Sequence, residues 1–428
     1  MRMTEFLSAE WKPALGCTEP AAVAHAVALA TAQVPGEVRS VSLRCDARTY
    51  KNCYAVGIPN SGQRSGLYWA MGIGASLPGP ELGLECFSAT TEEILARAQL
   101  LVEGGRLSVE VVSDNADLLI DCTVMTSSGT GRAVMEKDHT HLVHLERDGQ
   151  ELFHEAADSG ELEGQSPRAW AAGHSIPELM ALARSLSSAD RERLREGAAL
   201  NIAMARHGLK LLPAGLGVPE AEDLRFRLAR WVSAGVFARM SGEPLTVMSL
   251  AGSGNKGITV SVPIVLWGQG NGYAEERIDE ALALACLLTS VTTHHLGTLS
   301  AVCGGANASG IGLASALVML QGGTPEQVGL AIATMVGNVA GMVCDGAKIG
   351  CAMKTMTGVQ AAFQASSLAL VGVGVPPTDG IVGTDAEESL RNLGRLARLG
   401  MAEVDRHVLE IMQDKLRPAA AIHGNKAP

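Results

Sequence analysis

The sequence predicts an α+β protein, with an N-terminal mixed α/β portion that carries a small antiparallel sheet and a predominantly helical C-terminal portion with buried apolar helices. Short alternating segments, which are typical of strands, occur only before about residue 160. Long apolar helical segments dominate from Ile176 onward. Charged residues are plentiful before Glu243 and rare from there to Pro377, as in a buried helical core. We place the two portions at residues 1–165 and 166–428.

The N-terminal portion opens with a helix at residues 18–32, which Thr18 can cap and whose first turn suits Pro20. A second helix is expected at residues 91–102. Alternating residues predict strands at 38–44, 54–58, 106–112, 118–125, 131–136 and 141–146. The acidic, turn-rich segment 150–167 is interpreted as a loop that joins the two portions.

The C-terminal portion is expected to be helical almost throughout, with helices at 177–186, 189–207, 220–240, 279–291, 305–320, 325–339, 348–371 and 386–398. The segment 328–344 is apolar enough to raise the question of a membrane span. It contains Asn338 and three glycines, and it falls short of the roughly 20 apolar residues that a span needs. A buried helix is therefore the better interpretation.

Composition limits the classes of function. Hydrophobic residues make up 47% of the 428 residues and charged residues 18%, which supports a large buried core. The net charge of −11, without a basic stripe, argues against a nucleic-acid partner. Nine scattered cysteines and an N-terminus without an apolar signal region argue against secretion, so we expect a cytoplasmic protein in a reducing compartment. No membrane partner is expected, and a homodimer is left open.

Three cysteines lie at the edges of an apolar region. Cys344 and Cys351 bracket the segment Asp-Gly-Ala-Lys-Ile-Gly, and Cys303 lies upstream. Between Cys286 and Cys344 the only charged residue is Glu326. We interpret Cys303, Cys344 and Cys351 as ligands of an iron–sulfur cluster. Three thiolates suit a cluster whose fourth iron lacks a protein ligand, whereas four cysteines would give a closed electron-transfer site.

The spacing of Cys344 and Cys351 limits the local structure. One continuous helix would separate them by roughly 10 Å, which is too far for one compact cluster. We therefore expect Cys344 in a turn and a helix that begins near Ala347. The spacing differs from that of a zinc ribbon. For each of these cysteines a plain packing role is the competing interpretation. Cysteines without an assigned role are Cys45, Cys53, Cys86, Cys122 and Cys286.

Four further residues are candidates for contact with a ligand. Cys17 lies just before a predicted helix, a position that lowers a thiol pKa and exposes the sulfur, unless the residue is merely packed beside a turn. Ser253 and Asn255, in a glycine-rich segment, suit a small anionic ligand such as a carboxylate, or form an ordinary turn. His139 is either a ligand contact or proton shuttle, or a loop histidine.

Two cysteine blocks resemble a known family. Gly-Met-Val-Cys-Asp-Gly-Ala-Lys at 341–348 and Gly-Cys-Thr-Glu-Pro-Ala-Ala at 16–22 are similar to the L-cysteine desulfidase (UPF0597) group, a relative of the α-chain of bacterial iron–sulfur L-serine dehydratases. The family's other blocks follow in its order at 51–52, 56–59, 139–140, 238–240 and 252–255. Phe237 departs from the pattern, which suggests Asp at this position, and leaves the exact substrate open.

The resemblance implies a [4Fe-4S] cluster with one iron open to substrate, and α,β-elimination from a small L-amino acid. For L-cysteine the products would be hydrogen sulfide, ammonia and pyruvate. The implied catalytic base is Cys17, and the implied substrate-binding residues are Lys51, Asn52, His139, Ser253 and Asn255. Pyridoxal phosphate is not expected, because no lysine lies in a recognisable setting for it.

Three alternatives to cysteine elimination remain open on the sequence. The nearest is L-serine dehydration on the same cluster, with hydroxide as the leaving group. A non-catalytic iron–sulfur sensor or binding protein belongs to another class. The third is a structural protein whose cysteines only pack.

Overall fold

The computed structural model describes residues 1–112, 118–155, 166–212, 223–297 and 299–415. The helices in this part of the chain are α1 Met3–Glu10, α2 Thr18–Thr31, α3 Ala47–Cys53, α4 Leu67–Gly74, α5 Glu92–Glu103, α6 Pro167–Ala172, α7 Ile176–Arg184, α8 Ser188–Gly208, α9 Leu224–Met240, α10 Gly254–Gly270, α11 Glu275–Leu296, α12 Ala308–Leu320, α13 Pro325–Val339, α14 Cys351–Leu370, α15 Ala386–Arg395 and α16 Ala402–Asp414. The strands are β1 Trp11–Leu15, β2 Val38–Asp46, β3 Leu107–Val112, β4 Leu119–Thr126, β5 Thr130–Glu136, β6 Leu142–Arg147, β7 Gln150–His154 and β8 Thr246–Leu250.

Six strands form one sheet in the order β3-β2-β4-β5-β6-β7. All neighbours are antiparallel except β2 and β3, which run parallel. Helix α2 packs closely against the sheet, because a Cβ on Gly131 would come within 2.1 Å of the Ala30 carbonyl oxygen. The predicted α+β class, with a sheet in the N-terminal part and helices in the C-terminal part, is confirmed.

The first residues of the chain cross to the helical part. Strand β1 pairs antiparallel with β8, so that Trp11 lies opposite Leu250, and Trp11 is fully buried in the helical core. Gly16 then turns the chain into α2 with φ +75°, and a Cβ there would meet Pro59 at 2.6 Å. This crossing brings the start of α2 beside the start of α10.

The helical core is the weakly charged region predicted from the sequence. Of the 22 residues of α11, 16 are buried, and every residue of α12 is buried. The two helices pack closely because Gly312 has no side chain, and a Cβ there would meet the Ala285 carbonyl oxygen at 2.7 Å. Each fully buried Leu or Val in such a core stabilises the fold by roughly 1.5–3 kcal/mol.

Helix α16 returns to the sheet-containing part. Leu409 joins the hydrophobic cluster of that part, and Asp405 pairs with Arg48 and Lys51 of α3. The predicted boundary at residue 165 lies outside the described residues. Among the described helices, none has the length and apolar character that a membrane crossing requires.

Four local predictions were wrong. The strand predicted at 54–58 is a single bridge between Gly57 and Ser65, because α3 takes up the preceding residues. Segment 150–167 begins as strand β7, after a turn in which Asp148 and Gly149 have φ of 51° and 79°. The predicted set of helices omitted α10, which begins at Gly254, and the helix that follows the cysteine segment begins at 351 instead of 347.

Candidate functional site

One cavity between the sheet-containing part and the helical part gathers all nine candidate residues. They are Cys17, Lys51, Asn52, His139, Ser253, Asn255, Cys303, Cys344 and Cys351. The cavity has a volume of about 100 Å³, which is small beside the roughly 300–1,000 Å³ of sites for drug-sized ligands. The cavity shows proximity alone, and the roles of these residues stay predictions.

Two backbone hydrogen bonds position Cys303 and Cys344, and the start of α14 positions Cys351. Cys303 and Cys344 follow the paired residues Val302 and Val343, with 2.8 Å from Cys303 N to Met342 O and 2.8 Å from Cys344 N to Ala301 O. Cys351 is the first residue of α14, and its sulfur accepts a hydrogen bond from the Lys348 amide at 3.4 Å. The chain thus turns back on itself between the second and third thiols.

Gly346 makes this reversal possible. Its φ is +95°, and a Cβ would meet the Lys51 carbonyl oxygen at 2.2 Å, so only glycine fits this position. Lys51 in turn donates from Nζ to the Cys344 carbonyl oxygen at 2.9 Å. The cysteine segment therefore contacts α3 at two points, at Cys344 and at Gly346.

The donor set fits a cluster better than a single zinc ion. All three thiols are free. Four sulfurs about 2.3 Å from one zinc would lie roughly 3.8 Å apart. Cys303, Cys344 and Cys351 are not among the groups of potential ligands that lie within 4.8 Å of one another in the described part of the chain. At least two of the three sulfurs are therefore more than 4.8 Å apart. Burial, and then the neighbouring Cys344 and Cys351, raise the pKa of Cys303 to about 12, so metal binding there would release protons.

Three helices begin at the cavity. The first residues of α2, α10 and α14 all line it, namely Thr18 and Glu19, Asn255 and Lys256, and Cys351. The first N–H groups of a helix lack intrahelical partners, and the helix dipole is positive at this end. The cavity is consequently suited to negative charge, whether from thiolates or from a carboxylate ligand.

Two hydrogen-bonded networks fix the polar side chains. Arg239 donates to Asn255 Oδ1 at 2.9 Å and to the Gly16 carbonyl oxygen at 2.8 Å, which joins α9, α10 and the turn before α2. Asn52 donates to Glu19 Oε1 at 3.0 Å and accepts from the Ala347 amide at 3.1 Å. Each network crosses between the two parts of the molecule.

Cys17 corrects a prediction. We expected an exposed sulfur with a lowered pKa, but Cys17 is 4% exposed and its pKa is raised well above the ordinary value. Burial is the main cause, and the charge of Glu19 adds to it. The thiol donates to Glu19 Oε2 at 3.0 Å, so the acidic first turn of α2 cancels the effect of the helix dipole on the sulfur.

His139 is buried against the cavity with an unsatisfied nitrogen. It is 4% exposed, and Nε2 has no hydrogen-bond partner among the described residues. A buried polar atom of this kind is costly unless a bound molecule pairs with it. Phe237, in contrast, packs against the helical core and is not among the residues that line the cavity.

Four residues that sequence reasoning did not single out complete the site. Glu19 and Arg239 lie within the sequence blocks quoted above and Lys256 directly follows one, so a closer look at those blocks could have found them. Lys256 is buried, donates to Ala251 O and Thr293 Oγ1 at 3.0 Å each, and burial lowers its pKa to about 7. Asp405 gave no sequence signal, because it comes from a distant exposed helix.

Comparison with known proteins gives the family. The family model described as serine dehydratase alpha chain matches residues 91–410. A UPF0597 protein of Geobacter sulfurreducens is 38% identical, over 96% of this chain and 98% of its own length. UPF0597 proteins of Desulforapulum autotrophicum and Caldanaerobacter subterraneus are each 35% identical, over 96% of this chain and 97% and 98% of their own lengths. The chain therefore belongs to the serine dehydratase alpha chain family, in its UPF0597 group.

Proposed function

We propose that the protein is an iron–sulfur-dependent lyase that removes the β-substituent of a small L-amino acid, with L-cysteine as the substrate. Cysteine and water would give hydrogen sulfide, ammonia and pyruvate. The observation that carries the proposal is the single cavity, which combines three free thiols with three helix N-termini and a set of buried polar side chains. The family supports the class of lyase, and the substrate and the cluster rest on the chemistry of these residues.

Cys303, Cys344 and Cys351 would hold the cluster. When bound, a [4Fe-4S] cluster with an open iron supplies a Lewis acid that polarises the departing group. The rest of the reaction requires the protein to anchor the amino acid, exclude water from Cα and move one proton.

The start of α10 suits the substrate carboxylate. Ser253 precedes the helix without making a side-chain capping bond, and the amides of Gly254, Asn255 and Lys256 open its first turn. Arg239 fixes the orientation of the Asn255 side chain. Backbone N–H groups and a hydroxyl at a helix N-terminus are a common arrangement for binding a carboxylate. His139 Nε2, which has no hydrogen-bond partner among the described residues, is suited to a polar group of the same substrate.

Cys17 and Glu19 suit removal of the Cα proton. A free thiolate at Cys17 would be buried beside the Glu19 carboxylate, and two adjacent anions are unfavourable. Transfer of the Cys17 proton to Glu19 avoids this, because the pair keeps a single negative charge. The sulfur can then accept the Cα proton as a general base while the Cβ–S bond of the substrate breaks and hydrosulfide departs. The enamine that remains hydrolyses in solution to pyruvate and ammonia.

L-Serine is the second candidate substrate, and the description of the matching family favours it. The two substrates differ in the leaving group, which is a soft thiolate or a hard hydroxide. Soft sulfur ligands suit iron–sulfur centres better, which is why we place L-cysteine first.

An anaerobic substrate panel tests the proposal. Protein reconstituted with iron and sulfide is assayed for pyruvate with L-cysteine, L-serine and D-cysteine, and Cys344→Ala serves as the control without a complete ligand set. We expect pyruvate and sulfide from L-cysteine with the wild type alone. Pyruvate from L-serine in preference would select the second candidate. A full cluster without pyruvate from any substrate would contradict the lyase and favour the sensor.

A further inference from the structure

A second group of potential ligands lies on the β6–β7 hairpin, and none of its members lines the cavity. His144 of β6 and His154 of β7 are directly opposite in the strand register. Their ring centroids are 5.8 Å apart. Strand β7 is the last strand of the sheet, so its outer edge has no neighbouring strand in the described part of the chain.

A β-bulge brings a carboxylate to the two rings. The register passes from Leu145–Phe153 to Glu146–Glu151, which leaves Leu152 without an opposite residue. A bulge of this kind redirects the side chains that follow it. Without it, Glu151 and His154 would point to opposite faces of the strand, because their positions differ by an odd number. With it, Glu151 Oε2 lies 3.5 Å from His144 Nδ1 and 4.0 Å from His154 Nδ1.

These distances are close to those around a tetrahedral zinc ion. Zinc binds histidine nitrogen and carboxylate oxygen at about 2.0–2.2 Å, so neighbouring ligand atoms lie roughly 3.4 Å apart. One ligand atom from each of His144, Glu151 and His154 lies within 4.8 Å of the other two. Small rotations of the exposed side chains therefore suffice to close the three atoms around one ion.

The surroundings of His144 complete the pattern. Its Nε2 lies 3.2 Å from Glu146 Oε2, on the side of the ring away from Glu151. Metal-binding histidines commonly donate their second ring N–H to a carboxylate, which fixes the tautomer and orients the ring. Arg132 Nη1 lies 3.9 Å from Glu146 and so helps to hold this carboxylate in place.

We propose that His144, Glu151 and His154 form a zinc-binding site, with Glu146 as the residue that positions His144. Two imidazoles and a carboxylate are a donor set that zinc prefers, and three protein ligands leave the fourth position to water. The ion would join the two strands of the hairpin and stabilise the sheet edge. The site is separate from the thiols, and the proposal does not depend on the lyase function.

X-ray absorption spectroscopy at the zinc edge and titration calorimetry test the site on the full chain reconstituted with iron and sulfide. After loading with one equivalent of Zn²⁺, the nearest shell should contain nitrogen and oxygen at ~2.0 Å instead of sulfur at ~2.3 Å. His144→Gln and His154→Gln should each lose this shell and weaken zinc binding at least ~10-fold. Glu146→Gln should weaken binding by ~10–100-fold and retain the shell at higher zinc concentrations.

His141→Gln is the matched control. His141 lies on the same hairpin and pairs with Glu155 at 2.7 Å, outside the proposed set, so this variant should bind zinc as the wild type does. A zinc shell made only of sulfur in the wild type would overturn the proposal. A nitrogen and oxygen shell that persists in both His144→Gln and His154→Gln would overturn it as well.

Discussion

The thiol of Cys17 donates a hydrogen bond to the carboxylate of Glu19, with 3.0 Å between Sγ and Oε2. Both residues are buried, and burial together with the Glu19 charge raises the pKa of Cys17 well above its ordinary value. A thiolate at this position therefore requires that the proton move to Glu19 instead of to water. This hydrogen bond determines which variant effects and which pH profile are expected if Cys17 is the proposed base.

Replacement of Cys17 by Ser should retain the cluster and lower kcat by at least ~10²-fold, because a hydroxyl is too weakly acidic to act as this base. Iron content, resting spectra and pyruvate release measure the two properties separately. A changed cluster spectrum in the substrate-free variant would instead make Cys17 a resting-state ligand. Unchanged turnover would contradict both roles.

Replacement of Glu19 by Gln separates a proton acceptor from a purely electrostatic neighbour. The change removes a negative charge, so the pKa of Cys17 should fall, and alkylation of Cys17 followed by mass spectrometry should begin at a lower pH. If Glu19 accepts the thiol proton, kcat should nevertheless fall by ~10²-fold or more. An increase in kcat would show that Glu19 only suppresses the thiolate.

The raised pKa also sets the pH profile of the wild type. Between about pH 7 and 8.5 the Cys17 thiol stays protonated in the free enzyme, so kcat/KM should not rise through a thiol ionisation in this range. Initial rates with L-cysteine, corrected for ionisation of the substrate thiol, measure this. A rise with a midpoint below 8.5 that disappears in Cys17→Ser would show that the thiol is acidic in solution.

The proposed cluster ligands give a further prediction. Cys303→Ala, Cys344→Ala and Cys351→Ala should each lose iron and activity together, because each thiol lies at the cavity. Cys122→Ala and Cys286→Ala are matched controls, since both residues are buried in packing positions away from it. Iron and sulfide analysis with parallel pyruvate assays measures the effect. A full cluster in Cys351→Ala would show that the third ligand is a different residue.

The sequence predicted the parts of this site that come from contiguous blocks. Cys17 could be identified because Thr18 and Pro20 mark the start of a helix, and Ser253 and Asn255 because they lie among glycines that suit an anionic ligand. Helix α10 was nevertheless not predicted, since local patterns do not show that β8 pairs with β1, which fixes the turn before this helix. Burial of Cys17 likewise depends on residues far along the chain.

The contribution of α16 could not be predicted, because the ion pair between Lys51 and Asp405 joins residues more than 350 positions apart. Local propensity describes α16 as an exposed amphipathic helix and cannot indicate what it covers. The same limit applies to β7, where acidic residues suggested a loop. The Asp148-Gly149 turn was the available signal for a hairpin.

The buried ion pair predicts a stability effect. Asp405→Asn leaves the Lys51 ammonium, which is 1% exposed, without its carboxylate, and this should cost about 3–5 kcal/mol of unfolding free energy. Glu403→Gln is the matched control on the same helix, because Glu403 forms an exposed pair with Arg406, and exposed pairs contribute little to stability. Urea unfolding of the two variants and the wild type compares them. A loss near that of the control would show that the pair is not buried in solution.

The pH dependence of that pair has a definite sign. Burial alone would raise the pKa of Asp405, but the Lys51 charge and the hydrogen bonds from Lys51 and Arg48 outweigh it, so the pKa lies below the ordinary value. A carboxylate whose pKa is lowered in the folded protein stabilises the fold at pH values above the ordinary pKa of about 4. This stabilisation is lost as the pH falls below that value. The wild type should lose more stability between about pH 5 and 3 than Asp405→Asn. Equal losses would contradict the pairing.

Arg239 should act on substrate binding through Asn255. Arg239→Gln removes the donors to Asn255 Oδ1 and to the Gly16 carbonyl oxygen, so the start of α10 loses its alignment with the turn before α2. We expect KM for L-cysteine to rise at least ~10-fold, which corresponds to about 1.4 kcal/mol. The effect on kcat should be smaller, because a carboxylate anchor stabilises the ground state and the transition state alike.

Arg227→Gln, an exposed position on the same helix, is the matched control and should change neither constant. Steady-state kinetics at equal cluster content separates the two constants. A fall in kcat with KM unchanged would show that Arg239 serves the reacting atoms instead of the carboxylate.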